Sequence, residues 1–156
     1  MGDAAAIHAV HAAAFPSDAE ARLVDALRDA GHAAVSLVAL ESKIVGHVLF
    51  SPTRSNQGRG VGLAPLAVLP QYQRQGIGAA LASAGIGACR SAGYDYIVVL
   101  GEPAYYRRFG FRRALDFGVG NEYGAQDEFM VLELRPGALA GLRGVVSYCG
   151  EFAELG

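Results

Sequence analysis

Between Leu66 and Arg90 the chain changes character twice within a few residues. Leu66-Ala67-Val68-Leu69 is a short apolar run that reads as the end of a buried strand. Pro70 stops it, because proline has no N–H to give a neighbouring strand. From Gln75 to Arg90 the residues read as a helix, with Ile77, Ala80, Leu81, Ala84 and Ala88 on one face. Between the two lies a turn containing Gly76 and Gly78. A turn of this kind leaves the first helical N–H groups pointing outward, at the positive end of the helix dipole. Glycine there lets another molecule approach the backbone closely. The geometry suits a pyrophosphate.

The same stretch carries Gln73-Arg74-Gln75-Gly76-Ile77-Gly78, preceded by Val68-x-Pro70 and followed by Tyr105-Tyr106-Arg107-Arg108-Phe109-Gly110-Phe111. In these motifs, their order and their separation, the chain resembles the Gcn5-related N-acetyltransferase (GNAT) superfamily. That superfamily's acetyl-CoA signature is Gln/Arg-x-x-Gly-x-Gly/Ala after a strand. The resemblance runs from about residue 3 to 134. The wording from Gly101 to Tyr106 is most similar to a bacterial subgroup of predicted acetyltransferases.

The resemblance implies an α/β fold: a mixed, mostly antiparallel sheet flanked by helices, with two central strands splayed apart. It implies an N-acetyltransferase that moves an acetyl group from acetyl-CoA to a primary amine by direct transfer in a ternary complex. The alternative is a CoA- or acyl-CoA-binding module without transfer activity. For the cosubstrate it implies Leu66, Ala67 and Val68 along the pantetheine arm, with the Val68 N–H polarising the thioester carbonyl. It implies Gln73, Arg74, Gln75, Gly76, Ile77, Gly78 and Ala79 around the pyrophosphate. By the family pattern Tyr106 is the acid that protonates the leaving thiolate. Tyr105 stands where the family has Leu and is expected to pack inward. Many relatives carry a Glu base on the splayed strand, but Gly60 to Leu69 holds no acidic residue. Glu102 and His47 are the candidates left, and an amine that arrives neutral needs no base. The absent acid favours the binding module; Tyr106 favours transfer.

At 156 residues the chain has room for one domain with a real core. We expect a single acetyltransferase domain over 1–156, with a motif-bearing core 3–134 and a C-terminal extension 135–156. Hydrophobic residues make up 52 %, which excludes a disordered chain. A net charge of −2 argues against a nucleic-acid partner. Cys89 and Cys149, the two cysteines, do not make a disulfide scaffold. There is no bilayer-length apolar run and no signal peptide, so a cytoplasmic protein with no membrane partner is expected. The acceptor is a small-molecule or peptide amine, and the protein a monomer or homodimer. An antibiotic, a protein N-terminus and a lysine side chain are all open as acceptors.

The rest of the chain is consistent with this order. Asp3 to Ala14 reads as a helix with Ile7, Val10, His11 and Ala14 on its apolar stripe. The superfamily's usual strand before this helix has no room. Either the sequence starts inside the domain, its start is misassigned, or the protein does without that strand, leaving a bare sheet edge. His8 and His11 have a metal-like spacing but no evident third ligand, so no metal is expected. Phe15-Pro16 breaks the chain, and Ser17-Asp18-Ala19-Glu20 reads as a capping box for a second helix ending at Gly31. Val35–Leu40 and Lys43–Phe50 form a hairpin, and Gly60–Leu69 a strand with a bulge near Pro65. Arg54 and Arg59, in the loop between, are candidates for meeting an acidic acceptor. Gly85 and Gly87 sit inside the long helix, where close packing on the sheet is the simplest reason for them. Tyr94–Leu100 is a buried strand, and Pro103 opens a short helix over Ala104–Phe109. Two last strands follow, the second over Glu128–Leu134. The tail from Pro136 folds back over the sheet or adds a strand.

Overall fold

A computed structural model describes residues 3–154. These form two compact units. One contains the residues up to Ser51, then Ala64–Gly85, then the residues from Gly150; the other contains Pro52–Leu63 and Ile86–Cys149.

The first unit begins with α1 (Asp3–Ala14), which buries Ile7, Val10 and His11, and α2 (Ala19–Asp29), which buries Ala21, Leu23, Val24 and Leu27. These faces are where the 3.6-residue period puts them. The expected capping box at the start of α2 does not form. The helix begins one residue late, with Asp18 as N-cap, and the Ser17 hydroxyl accepts the Ala19 N–H at 3.2 Å. Ser17 and Glu20 therefore do not stand in the N-cap and third-residue positions that reciprocal capping needs. At the other end Gly31 adopts φ +77°. His32 N–H reaches the Leu27 carbonyl at 2.8 Å and Gly31 N–H the Arg28 carbonyl at 3.2 Å, a paired closure that needs this left-handed residue.

The hairpin is β1 (Val35–Leu40) and β2 (Ile44–Pro52), antiparallel, with a register shift between Ala39 and Leu40. The sheet order in this unit is β1-β2-β3, where β3 is Gly60–Val68. Among the described residues α1 is the first element, and β1 is an outer strand. Where an irregularity is expected in β3, the Ala64–Pro65 peptide bond is cis.

The long helix, α3, spans Ile77–Ser91. Its buried positions are Leu81, Ala82, Gly85, Ile86 and Cys89, while Ala80 and Ala84 are exposed. The face is thus rotated from the expected stripe. Alanine and glycine surround this helix on every side, so hydrophobic contrast cannot choose a face. Bulk chooses it instead. Gly85 is needed because a Cβ there would lie 2.2 Å from the Phe50 ring, whereas a Cβ on Gly87 meets nothing within 4 Å.

The second unit carries the order β3-β4-β7-β5, with β4 at Tyr96–Leu100, β5 at Arg112–Arg113 and β7 at Phe129–Glu133. The β3–β4 pairing is parallel and covers only Gly60–Gly62 against Tyr96–Val98. β4 pairs antiparallel with β7 along its whole length. This is a mixed α/β fold with a mostly antiparallel sheet. α4 (Pro103–Arg107) is the short helix expected after β4. The tail adds a strand: β8 (Gly144–Val146) pairs in parallel with β6 (Val119–Asn121) in a separate two-stranded ribbon. The 3₁₀ turn Gly150–Glu154 packs on α2 within the first unit.

The two helix glycines make a matched test. Gly85→Ala forces a methyl into the Phe50 ring and is expected to cost about 1–3 kcal/mol, as overpacked cores do. Gly87→Ala has open space and is expected to gain up to about 1 kcal/mol from helix propensity. Urea unfolding of both variants checks the opposite signs.

Candidate active site

β3 ends in a turn whose hydrogen bonds fix its shape. Leu69 N–H donates to the Val45 carbonyl at 2.8 Å, and a 3₁₀ turn covers Pro70–Tyr72. The Gln73 side-chain amide then reaches back to the Val68 carbonyl at 2.9 Å. Arg74 comes next with φ +64°, and Gly76 has φ +85°. Arg74 is the sole non-glycine residue with positive φ among those described, a conformation that clusters at binding sites. Residues in this conformation bring successive amides to one side of a turn. The Gly76 carbonyl accepts the first helical bond, from Ala80 N–H at 3.0 Å. The amides of Ile77, Gly78 and Ala79 therefore lie outside the helix ladder, at its positive end. Gly76 is exposed, and a Cβ built on it meets nothing within 4 Å, so the space over the turn is open. Gln73, Arg74 and Gln75 are also exposed, while Ile77, Gly78 and Ala79 are partly so. Leu66, Ala67 and Val68 lie on β3 just before the turn, with Ala67 and Val68 buried. The turn can hold an anionic group with its backbone and add the Arg74 charge.

In the second unit Pro103 opens α4, and the Glu102 carboxylate caps it, accepting the Ala104 N–H at 3.3 Å. Tyr106 lies in an aromatic cluster, its ring 5.0 Å from that of Tyr105, 5.7 Å from Phe111 and 6.3 Å from Phe109. Burial, helped by Tyr105, pushes its hydroxyl up to about 12. Tyr106 thus keeps its proton across the physiological range. Tyr105 does not pack fully inward. It is half-buried and carries the Arg108 guanidinium 5.1 Å over its face.

His47 is not placed to meet solvent. It is fully buried, its Nε2 2.8 Å from the Ser36 hydroxyl and its Nδ1 2.8 Å from His11 Nε2. Burial, with smaller contributions from His11 and Arg28, lowers it to about 3. Burial likewise lowers His11 to about 4, against the pull of Asp25. His8 bonds the Asp25 carboxylate at 2.7 Å, so the two histidines of α1 turn to different partners. Arg54 bridges Ser147 through its backbone, and Arg59 lays its guanidinium 4.7 Å over the Tyr94 ring. Cys89 is buried, and burial pushes its thiol up to about 12; the Cys149 thiol donates to the Pro52 carbonyl at 3.1 Å. Among the described residues no helix is long and apolar enough to cross a membrane.

A glycine turn with outward amides between strand and helix, and a tyrosine-bearing short helix after the next strand, mark one class of α/β transferase. The model of the acetyltransferase (GNAT) family matches residues 4–111, and the chain belongs to that family. Over 155 residues it is 39 % identical to the uncharacterized N-acetyltransferase YhbS of Escherichia coli strain K12, covering 96 % of this chain and 93 % of that one. The crystal structure of Escherichia coli YhbS in complex with CoA superposes with a TM-score of 0.94 at 37 % identity, over 100 % of this chain and 89 % of that one. A GNAT family acetyltransferase from Brucella melitensis in complex with acetyl-CoA gives 0.80 at 36 % identity, over 97 % and 92 %.

The buried histidine pair has a consequence for stability. Both folded values lie below the ordinary 6.5, so the fold favours the neutral rings. Their contribution is fully present above pH 6.5 and is lost as pH falls from there through about 4 and about 3, because the unfolded chain takes up protons first. The urea midpoint is expected to drop across that window. His11→Gln, which retains a polar atom towards His47, is expected to flatten the drop.

Proposed function

We propose that the protein is an N-acetyltransferase that moves an acetyl group from acetyl-CoA to a primary amine, by direct transfer while both are bound. The acceptor is a small-molecule or peptide amine, and the setting is the cytoplasm. The single observation that carries this is the turn from Gln73 to Ala79, with two left-handed residues and three helical amides free of the ladder. YhbS with CoA and the Brucella protein with acetyl-CoA, similar over almost the whole chain, support the same ligand.

Each residue then has a stated duty. Backbone amides of Gln75, Gly76, Ile77, Gly78 and Ala79 hold the pyrophosphate, and Gln73 fixes the turn by its bond to Val68. Arg74 adds charge from the rim, weakened by solvent. Leu66, Ala67 and Val68 run beside the pantetheine arm, with the Val68 N–H aimed at the thioester carbonyl. Tyr106 gives its proton to the leaving thiolate. Burial keeps the Tyr106 hydroxyl protonated, so a proton is there to give. Glu102 serves through the capping bond that sets the helix bearing Tyr106.

Three variants test the scheme. Gly76→Val puts a β-branched residue at φ +85° and is expected to weaken CoA binding at least tenfold, or about 1.4 kcal/mol. Unchanged calorimetric affinity with an intact fold refutes the phosphate cradle. Tyr106→Phe keeps the ring and is expected to lower kcat by roughly 10²–10⁴, with acetyl-CoA affinity within about threefold. Tyr105→Phe should leave kcat nearly unchanged. Thiol release with an amine panel reads all three, and CoA binding without release to any amine points to the binding module.

A further inference from the structure

Taking acetyl transfer as proposed above, we infer that Glu122 and Tyr123 form the subsite for the acceptor's protonated amine, and that Glu122 takes the proton the amine must lose before it attacks.

The turn that carries them is built rather than slack. Asn121, only 8 % exposed, accepts the N–H groups of Tyr123 at 2.9 Å and Ala125 at 3.2 Å on its side-chain oxygen. Its side-chain nitrogen donates to the Ala125 carbonyl at 2.8 Å. One side chain thus closes the whole turn and leaves Glu122 and Tyr123 exposed on its crest. Glu122 Oε1 accepts the Tyr148 backbone N–H at 2.8 Å. The Tyr123 ring lies 6.2 Å from the Tyr148 ring, tilted by 52°. Both exposed groups are therefore anchored on Tyr148.

Tyr148 connects this turn to the strand where chemistry is expected. Its ring fills the space that Gly62 leaves, since a Cβ there would lie 2.5 Å from Tyr148 Cε2. Gly62 is the last residue of β3 in the ladder with β4. Burial raises the Tyr148 hydroxyl far above the usual phenol range, and Tyr123, Tyr106 and Glu122 all push it the same way. An ionised carboxylate has about four acceptor sites, so the bond to Tyr148 leaves capacity for an ammonium. A tyrosine face beside it attracts the same cation.

The chemistry balances. A primary amine arrives as an ammonium, and Glu122 takes its first proton. The freed lone pair forms the C–N bond while the C–S bond breaks. Tyr106 protonates the sulfur and regains a proton from the nitrogen. Glu122 returns its own proton to solvent, so the sum is one amide, one thiol and one released proton. The subsite supplies the base that Gly60–Val68, with no acidic residue, lacks.

Glu122→Gln is the informative change, because the amide oxygen still accepts from Tyr148 while the charge is gone. With acetyl-CoA and butylamine, kcat/KM at neutral pH is expected to fall by roughly 10²–10³. The deficit is expected to shrink as pH rises towards the amine's own pKa, about 10. Transfer to hydroxylamine, already neutral, should change less than about threefold. Equal losses with both amines, independent of pH, would reduce Glu122 to a support for Tyr148 and overturn the inference. Butylammonium binding to the CoA-loaded protein, followed by ligand-observed NMR, is a readout separate from turnover. Binding lost in Glu122→Gln and in Tyr123→Leu supports the subsite; binding kept in both overturns it. If CoA binds but no amine is acetylated, acetyl transfer itself fails, and the binding result still decides the subsite.

Discussion

The bond from the Gln73 side chain to the Val68 carbonyl, 2.9 Å long, holds the end of β3 to the start of α3. The shape of the glycine turn depends on it. Arg74 and Gly76 are left-handed; glycine adopts that conformation freely, but Arg74 stays in it only where its surroundings over-determine it. Ordering a turn of this length costs about 1–2 kcal/mol per residue in backbone entropy. Here that cost is met by folding, through Gln73, the Val45–Leu69 bond and the helix itself, before any ligand arrives. Amides already aimed outward let a phosphate exchange its water shell for fixed donors without reorganising the chain.

One physical cause, removal from water, has opposite results at two places. It strips charge from His11 and His47, which become a neutral hydrogen-bonded pair tying α1 to the hairpin. It keeps the proton on Tyr106, and so preserves a donor. Desolvation disfavours whichever form is charged. The histidines thereby become structural cement, unsuited to the base role that a polar residue on β2 suggests.

The turn was legible because glycine, proline and a strand-to-helix change are local signals, and each reports a backbone requirement directly. α1 was legible for a similar reason: Ile7, Val10 and His11 stand out against alanines. α3 was not, since its small residues surround the axis and only the Phe50–Gly85 contact picks the face. No local signal distinguishes the start of α2 at Asp18 from one at Ser17. β6 and β8 are three residues each and become strands only by pairing with each other. Arg74 lacks the glycine that would announce its positive φ. Asn121 to Ala125 did carry a sign, an Asn with a Gly three residues later, but its meaning rests on Tyr148, distant in sequence.

β1 is an outer strand with apolar side chains in water: Leu40 is 69 % exposed and Val38 37 %. Left regular, such an edge would template another copy of itself. The register shift between Ala39 and Leu40 sits at its most greasy end. The extra residue is Val45 on β2, and such a bulge increases the local twist, which turns the end of the edge away from a flat incoming strand. Val35–Ala39 keeps an unbroken register, and the regular ladder stops before Leu40. The flat part of the edge thus ends one residue before its most exposed apolar side chain, so the residue best able to recruit a further strand lies outside the regular ladder.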